Sequence, residues 1–553
     1  MDSRFSVEDS GTTSRRPHSY QNVPGIPNNV KVLGKMGSGT NGSVYRVIDE
    51  RGKEAAYKVL DTGTGSYIER TIGVDFIREA CIYKHIGNRN PGICNVKEIG
   101  NGYISMCLAR GNLLEEMDIK YKEGDVLRQG ERVLQSKVFS LDSILEDMAT
   151  LLATVDLLHK ENITHFDIKP ANILRGKDSR LRLCDMGSAS VTPKEFLEKF
   201  ENARKKFLAG GSVNLDDLAY IYPMVTPQYM APESYLHILN EGDYPLSPLY
   251  AGTDIWGLGV TFLELLTGYN FNRTIIKSEG DSSIYGYISD DIVVPMEMVN
   301  KFSPDMKFRG FSIYGSEWKK VFWSPYGRSN SSPYELLLQE QTKVGSPNKG
   351  DLSKVWKMIN KMLDPNPLTR ITAEDCLKSP LFLKNKHVRK VIDNFYAEYR
   401  ERTRVFEHRT RNYLNEIEKH EIPKSSRVLF ERHMFGEYHK VYKFMTERDS
   451  VLKSRYERLA RVAHYRMTLN PEDLTKKQKD LFYFCLVLLA GYAEYFSPLS
   501  ERPFQNFSDI FGEDIDEMAR VTFLGAKGDS VKKQFDIVMY FLLVHVFDFD
   551  LWV

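Results

Sequence analysis

Cysteine is scarce in this chain, six in 553 residues, and no two stand at the Cys-x-x-Cys spacing of a metal knuckle or redox pair. Cys81, Cys94, Cys107, Cys184, Cys376 and Cys485 fall mostly inside apolar runs, which points to buried, reduced thiols and a cytosolic setting. Excess charge is missing too. A net charge of +1 exerts no global pull on nucleic acid or an anionic membrane, so any such binding has to come from a local patch. Long apolar runs are absent as well. Leu481 to Ala493 is stopped by Glu494, and Ile537 to Phe547 contains His545 and is flanked by Asp536 and Asp548. Both fall short of the about 20 residues that a spanning helix needs, and they read as core helices without membrane contact. Residues 1–27 lack the apolar core of a signal peptide, and their Ser, Arg and Pro content reads as a flexible leader.

What is present is the balance of a soluble globular protein, 42% hydrophobic and 27% charged, in a chain too long for one ordinary core. Two or three domains are expected.

His165-Phe166-Asp167-Ile168-Lys169-Pro170-Ala171-Asn172 is the most informative stretch. Asp167 can accept the proton of an attacking hydroxyl, Lys169 can neutralise charge developing on a phosphoryl group, and Asn172 can offer an amide oxygen to Mg²⁺. Upstream, Gly37-Ser38-Gly39-Thr40-Asn41-Gly42-Ser43-Val44 fits G-x-G-x-x-G-x-V, in which glycines let a strand-turn-strand backbone approach phosphates. Ala55-Ala56-Tyr57-Lys58-Val59 follows one strand later. Phe76 to Tyr83 then reads as a helix carrying Glu79. Downstream stand Leu181 to Cys184 with Asp185-Met186-Gly187, then Thr226-Pro227-Gln228-Tyr229-Met230-Ala231-Pro232-Glu233, then Asp254-Ile255-Trp256-Gly257. Arg370-Ile371-Thr372-Ala373 and Ser379-Pro380-Leu381-Phe382 close the series.

Taken in their order along the chain, these motifs resemble the eukaryotic-type protein kinases, over about residues 28–384. The resemblance implies an α+β, bilobal fold, with a β-rich N-lobe at about 28–110 and a larger helical C-lobe at about 111–384. It implies ATP and Mg²⁺ as cofactors. Gly37, Gly39, Gly42, Val44 and Ala56 would line the nucleotide, Lys58 would grip its α- and β-phosphates, and Glu79 would hold Lys58. Asp167 and Lys169 would act on the acceptor and the γ-phosphate, while Asn172 and Asp185 would bind the metal. Lys169 and Thr226 resemble the serine/threonine group, in which that threonine bonds across to the catalytic Asp and Lys. Arg370 would pair with Glu233. Protein substrates with Ser or Thr acceptors are implied.

Phe166 departs from the pattern, since regulated kinases mostly have arginine there to receive a phosphate. A phenylalanine cannot pair with phosphate, so an activation segment held by packing is expected. Met186 replaces the usual phenylalanine, a volume-tolerant exchange. Pro193 to Leu208 reads as a helix capped by Thr192, with an apolar stripe that packs on the chain's own C-lobe. Aromatics between Gly268 and Lys354 suggest an ordered subdomain.

Residues 385–553 carry no recognised motif and read as an all-helical accessory domain. Helices are expected at His387–Ile417, about 426–467, about 474–495 and about 530–547. Lys386 to Arg466 holds 20 Lys and Arg against 12 Asp and Glu, yet interleaved glutamates favour a solvated helix over a nucleic-acid surface. Arg400, Arg402, Arg404, Arg409 and Arg411 could face an acidic protein partner. The rival reading is a catalytically weak kinase-fold scaffold whose helical domain binds partners. It is disfavoured because Lys58, Asp167, Asn172 and Asp185 are all present. The setting is cytoplasmic, or the cytosol of a host if the protein is a pathogen effector.

Overall fold

Val30-Lys31-Val32 alternates apolar with polar, β-branched and aromatic residues make up most of Val44 to Ile48, and the glycines at the hairpin let the chain reverse, so residues 30–59 fold as antiparallel strands. In a computed structural model of the chain, β1 (Val30–Gly39), β2 (Gly42–Asp49) and β3 (Glu54–Val59) join β4 (Val96–Gly100) and β5 (Tyr103–Cys107) in one sheet. Its order is β1-β2-β3-β5-β4, antiparallel throughout. The structure describes residues 23, 25–39, 42–59, 74–100, 102–117, 140–192, 194–213, 219–221, 229, 231, 247–248, 251–267, 349–364, 367–419, 457–463, 486 and 547.

Val47, Ala55, Tyr57, Val59 and Tyr103 form a buried cluster on this sheet, with the Tyr57 and Tyr103 rings stacked at 5.0 Å. Ile26, from the stretch read as leader, packs against it with Val30, Val32 and Tyr45. Gly25 makes that approach possible. It has φ 89°, and a Cβ there would lie 2.8 Å from Val59 Cγ1.

Between β3 and β4 lies α1 (Val74–Ile82), continued by a π-helical turn at Tyr83–Gly87. Phe76, Glu79, Ala80, Cys81 and Ile82 are buried. The loop after the turn is fastened to the second lobe. Asn90 donates through Nδ2 to the Thr154 carbonyl at 3.0 Å, and its Oδ1 accepts from Gly92 N–H. A Cβ on Gly92 would sit 1.7 Å from Thr154 Oγ1, so only glycine fits.

Thr154 lies on α2 (Leu141–Lys160), the central helix of the second lobe. Ser140 caps it by accepting from Ser143 N–H, with Asp142 in the first turn and His159 and Lys160 in the last. Residues from Ile144 to Leu158 are buried nearly all round, as expected of a helix enclosed by protein. Short strands β6 (Gly111–Asn112), β7 (Ile163–Thr164), β8 (Ile173–Arg175), β9 (Leu181–Leu183) and β10 (Ser190–Val191) follow. β6-β8-β9 form one ribbon, and β7 pairs with β10. α3 (Lys194–Leu208) matches the helix expected at Pro193 to Leu208. Phe200 is buried, and Gly210, at φ 83°, ends the helix.

β11 (Ala219–Ile221) pairs with β12 (Ser247–Pro248) ahead of α4 (Gly252–Thr267), and α5 (Lys349–Met362), α6 (Ala373–Leu377) and α7 (Pro380–Leu383) complete the lobe. The expected subdomain between 268 and 348 lies outside the described residues, as do Thr226 and Glu233.

α8 (Lys386–Lys419) is the expected helix at His387–Ile417, and its stripe is spent on the second lobe itself. Val388 and Phe395 are buried. Tyr396 donates to the Asp156 carboxylate, Tyr399 to Glu161 at 3.1 Å, and Arg180 pairs with Glu398 at 2.7 Å. Farther along, the Arg89 guanidinium stands over the Phe406 ring at 5.3 Å while also pairing with Glu161 at 2.7 Å. Beyond α8, residues 457–463 are helical with Leu459, Ala460, Val462 and Ala463 buried, and Leu486 and Phe547 are buried too. The rest of the three later helices lies outside the described residues. Among those described, no helix is long and apolar enough to cross a membrane.

Candidate active site

The cleft between the lobes gathers the charged residues singled out by the motifs. Lys58 projects from β3, and Glu79 from α1 reaches it with both oxygens, at 2.9 and 2.7 Å. The same ammonium lies 2.7 Å from Asp185 Oδ1. Burial would depress the Lys58 ammonium, but Glu79 and Asp185 together raise it. Burial likewise opposes ionisation of Asp185, and Lys58 outweighs it, holding that carboxyl below its usual value. Lys58 and Asp185 are therefore both ionised near neutral pH. Lys58 keeps 12% of its side-chain surface exposed and Asp185 keeps 42%, so the carboxylate still opens onto the cleft.

Opposite this trio, Asp167 sits between its loop partners. Lys169 Nζ is 2.8 Å from Asp167 Oδ2, and Asn172 Nδ2 donates to Asp167 Oδ2 and to the Asp167 carbonyl, each at 2.9 Å. The 3₁₀ turn Pro170–Asn172 brings Asn172 back towards Asp167. With its NH₂ committed, the Asn172 amide oxygen is the atom left to act as a ligand. Cys184 N–H donates to the Asn172 carbonyl at 2.9 Å, which ties this loop to the strand leading into Asp185. Asp185 and Asn172 thus supply one carboxylate and one amide oxygen. That set fits Mg²⁺, which takes few protein ligands and completes its shell with phosphates and water.

The glycine-rich hairpin forms β1 and β2, with Gly37 opposite Val44 and Gly39 opposite Gly42. Gly42 has φ 142°, a conformation that favours glycine, and nothing lies within 4 Å of a Cβ on Gly37. Ala56 is buried at 8% exposure, and Val44, opposite Lys58 on the neighbouring strand, is half-buried. Thr226, expected to reach Asp167 and Lys169, lies outside the described residues, so only its neighbour Tyr229 is placed, donating to Glu264 at 2.9 Å. Arg370 is buried, donates to the Asp364 and Gly252 carbonyls and stands over the Trp256 ring at 5.3 Å, while Glu233, the partner expected for it, also lies outside the described residues.

Phe166 is 4% exposed and has φ 65°, a left-handed conformation that a phenylalanine adopts only when its surroundings impose it. Asp254 at the start of α4 does the imposing. Its Oδ1 accepts from Phe166 N–H and its Oδ2 from His165 N–H, each at 2.8 Å, and His159 Nε2 lies 2.9 Å from Oδ2. In the sequence Asp254 stands only as the first residue of Asp254-Ile255-Trp256-Gly257, with no role attached. Its spacing before the tryptophan was the available signal. Asp254→Asn keeps one acceptor oxygen but turns its NH₂ towards the other backbone donor, so we expect a loss of about 1–3 kcal/mol, read as a fall in thermal midpoint with weakened catalysis. An unchanged midpoint would remove Asp254 as the support of this loop.

Tyr83 was also missed. Its hydroxyl accepts from the Asp185 N–H at 3.0 Å, and nothing in an apolar helical pattern marks a tyrosine as other than core.

A family model described as "Protein kinase domain" matches residues 30–382. Probable cyclin-dependent kinase 10 of Dictyostelium discoideum is 27% identical over 355 residues, covering 64% of this chain and 78% of that protein. Serine/threonine-protein kinase SSN3 of Yarrowia lipolytica is 26% identical over 375 residues, covering 64% and 76%. Serine/threonine-protein kinase ppk23 of Schizosaccharomyces pombe is 24% identical over 261 residues, covering 46% and 49%. With the domain spanning well over half its length and the cleft residues in place, the chain belongs to the eukaryotic-type protein kinase family, on its serine/threonine side.

Proposed function

We propose that this protein transfers the γ-phosphoryl group of ATP to serine or threonine hydroxyls of protein substrates, with Mg²⁺ held by Asp185 and Asn172. The observation that carries this reading is the joined arrangement Glu79–Lys58–Asp185 facing Asp167–Lys169–Asn172 across one cleft. Asp167 orients the acceptor hydroxyl and takes its proton as the oxygen attacks, Lys169 offsets charge on the transferring group, and Lys58 fixes the α- and β-phosphates. Mg²⁺ held by Asp185 and Asn172 would supply charge neutralisation to the phosphates. The glycines of the hairpin let backbone approach the phosphates, while Val44 and Ala56 flank the base.

Lys169 and the serine/threonine names of the relatives support the acceptor class. Peptide libraries with Ser, Thr or Tyr as the sole acceptor, incubated with Mg·ATP, test it. Label is expected on Ser or Thr at least tenfold above Tyr, and label on Tyr alone would reverse the reading.

A cytoplasmic setting is part of the same proposal, supported by five free cysteines among the described residues. So is a protein partner at the C-terminal region. On α8 the face with Val388 and Phe395 is covered, whereas Arg400, Arg409 and Arg411 are exposed and suit an acidic partner.

A further inference from the structure

Asp185 is left-handed, at φ 63° and ψ 73°, a conformation that a non-glycine residue keeps only where its surroundings hold it. Side-chain links come from Lys58 at 2.7 Å and from its own Gly187 N–H at 3.4 Å. Its backbone N–H has a separate partner, the Tyr83 hydroxyl, at 3.0 Å. Tyr83 is 1% exposed and opens the π-helical turn that continues α1, four residues after Glu79. The two residues therefore leave the same helix towards the same aspartate. Glu79 reaches its carboxylate through Lys58, and Tyr83 reaches its backbone directly. A closed ring results, running from α1 through Glu79, Lys58, Asp185 and Tyr83 back to α1.

We propose that Tyr83 is a positioning residue for phosphoryl transfer, whose hydroxyl holds the Asp185 backbone in the left-handed turn that aims its carboxylate at Lys58 and the metal. A leucine or phenylalanine would fill the same space but would leave a buried N–H without an acceptor. The same helix position thus sets both the lysine's grip and the metal ligand's direction. An outward shift of α1 would break both at once.

The inference rests on the role proposed for Asp185, and the test separates the two. Affinity of the full chain for a non-hydrolysable ATP analogue is measured with and without Mg²⁺ by calorimetry, for the wild type, Tyr83→Phe, Tyr83→Leu and Asp185→Ala. Tyr83→Phe is expected to lose about tenfold in the Mg²⁺-dependent part of the affinity, the worth of one ordinary buried hydrogen bond, with metal-free affinity unchanged. Tyr83→Leu should melt at lower temperature because ring packing is lost, yet lose no more Mg²⁺-dependent affinity than Tyr83→Phe. Equal losses with and without Mg²⁺, tracking the thermal midpoint, would make Tyr83 a packing residue and overturn the proposal. So would an unchanged Tyr83→Phe variant beside an Asp185→Ala variant that has lost its Mg²⁺ dependence. If Asp185→Ala itself keeps full Mg²⁺ dependence, the metal assignment fails, and the Tyr83 role falls with it.

Discussion

Replacing Asp167 by asparagine should cut phosphoryl transfer by about 10²- to 10⁴-fold, the usual contribution of a positioned general base, while nucleotide affinity stays near that of the wild type. The separation follows from geometry. Asp167 is held by Lys169 and Asn172, whereas Lys58 is held by Glu79 and Asp185. An asparagine can still present an oxygen to Asn172 Nδ2, so the loop keeps its shape and loses only the basic atom. Asp185→Ala removes a metal ligand and the Lys58 partner together, so nucleotide affinity in Mg²⁺ should fall along with turnover. Single-turnover kinetics and calorimetry on both variants check this. Wild-type transfer in Asp167→Asn would end the assignment of Asp167 as the base.

A chain cut after Lys384 should melt well below a chain cut after Lys419. Residues 385–553 read from sequence as a separate helical domain, which would let the kinase domain end at 384 without loss. Yet α8 lies along α2, and removing it uncovers Val388 and Phe395 contacts worth about 1.5–3 kcal/mol for each buried side chain. It also strips Asp156 and Glu161 of their tyrosine partners. A combined loss of about 3–6 kcal/mol is a large part of the roughly 5–15 kcal/mol that holds an ordinary domain together. Thermal midpoints should differ by roughly 10 °C, at about 2–4 °C per kcal/mol for a unit of this size. Coincident midpoints would show that α8 sits on the lobe without stabilising it. Both chains should also weaken together in acid, because Glu161 and the groups that hold it, His85 and Arg89, are present in each. Burial would raise the Glu161 carboxyl, but His85 and Arg89 hold it at about 2, below its ordinary 4.5. A carboxyl lowered on folding contributes stability that is present above 4.5 and is lost as pH falls towards 2.

The gathering of Asp167, Lys58, Lys169, Asp185 and Asn172 in one cleft was legible because the chemistry proposed for them restricts residue type. A base, two cations, a carboxylate and an amide oxygen leave few alternatives, and the order of the motifs along the chain pointed the same way. Helices α3 and α8 were legible through periodicity, Gly210 marking the end of the first. What could not be read was the identity of the surface each stripe covers. The spacing of Val388 and Phe395 is the same whether the helix packs within its own domain or on α2. Asp254 and Tyr83 escaped for a related reason: their work is done on backbone N–H groups, which have no letter in the sequence.

The seat of Gly92 on Thr154 determines how the two lobes can move. With no room for even a methyl group, and with Asn90 bonded to the neighbouring carbonyl, the loop after α1 travels with α2 and not with the sheet. Arg89, clasped between Glu161 and Phe406, fixes the same point from outside. The near end of α1 is therefore a fulcrum. Any opening of the cleft would then be a rocking of the five-stranded sheet about that point, with the least travel expected at the turn holding Tyr83 and the greatest at the hairpin tip near Ser38.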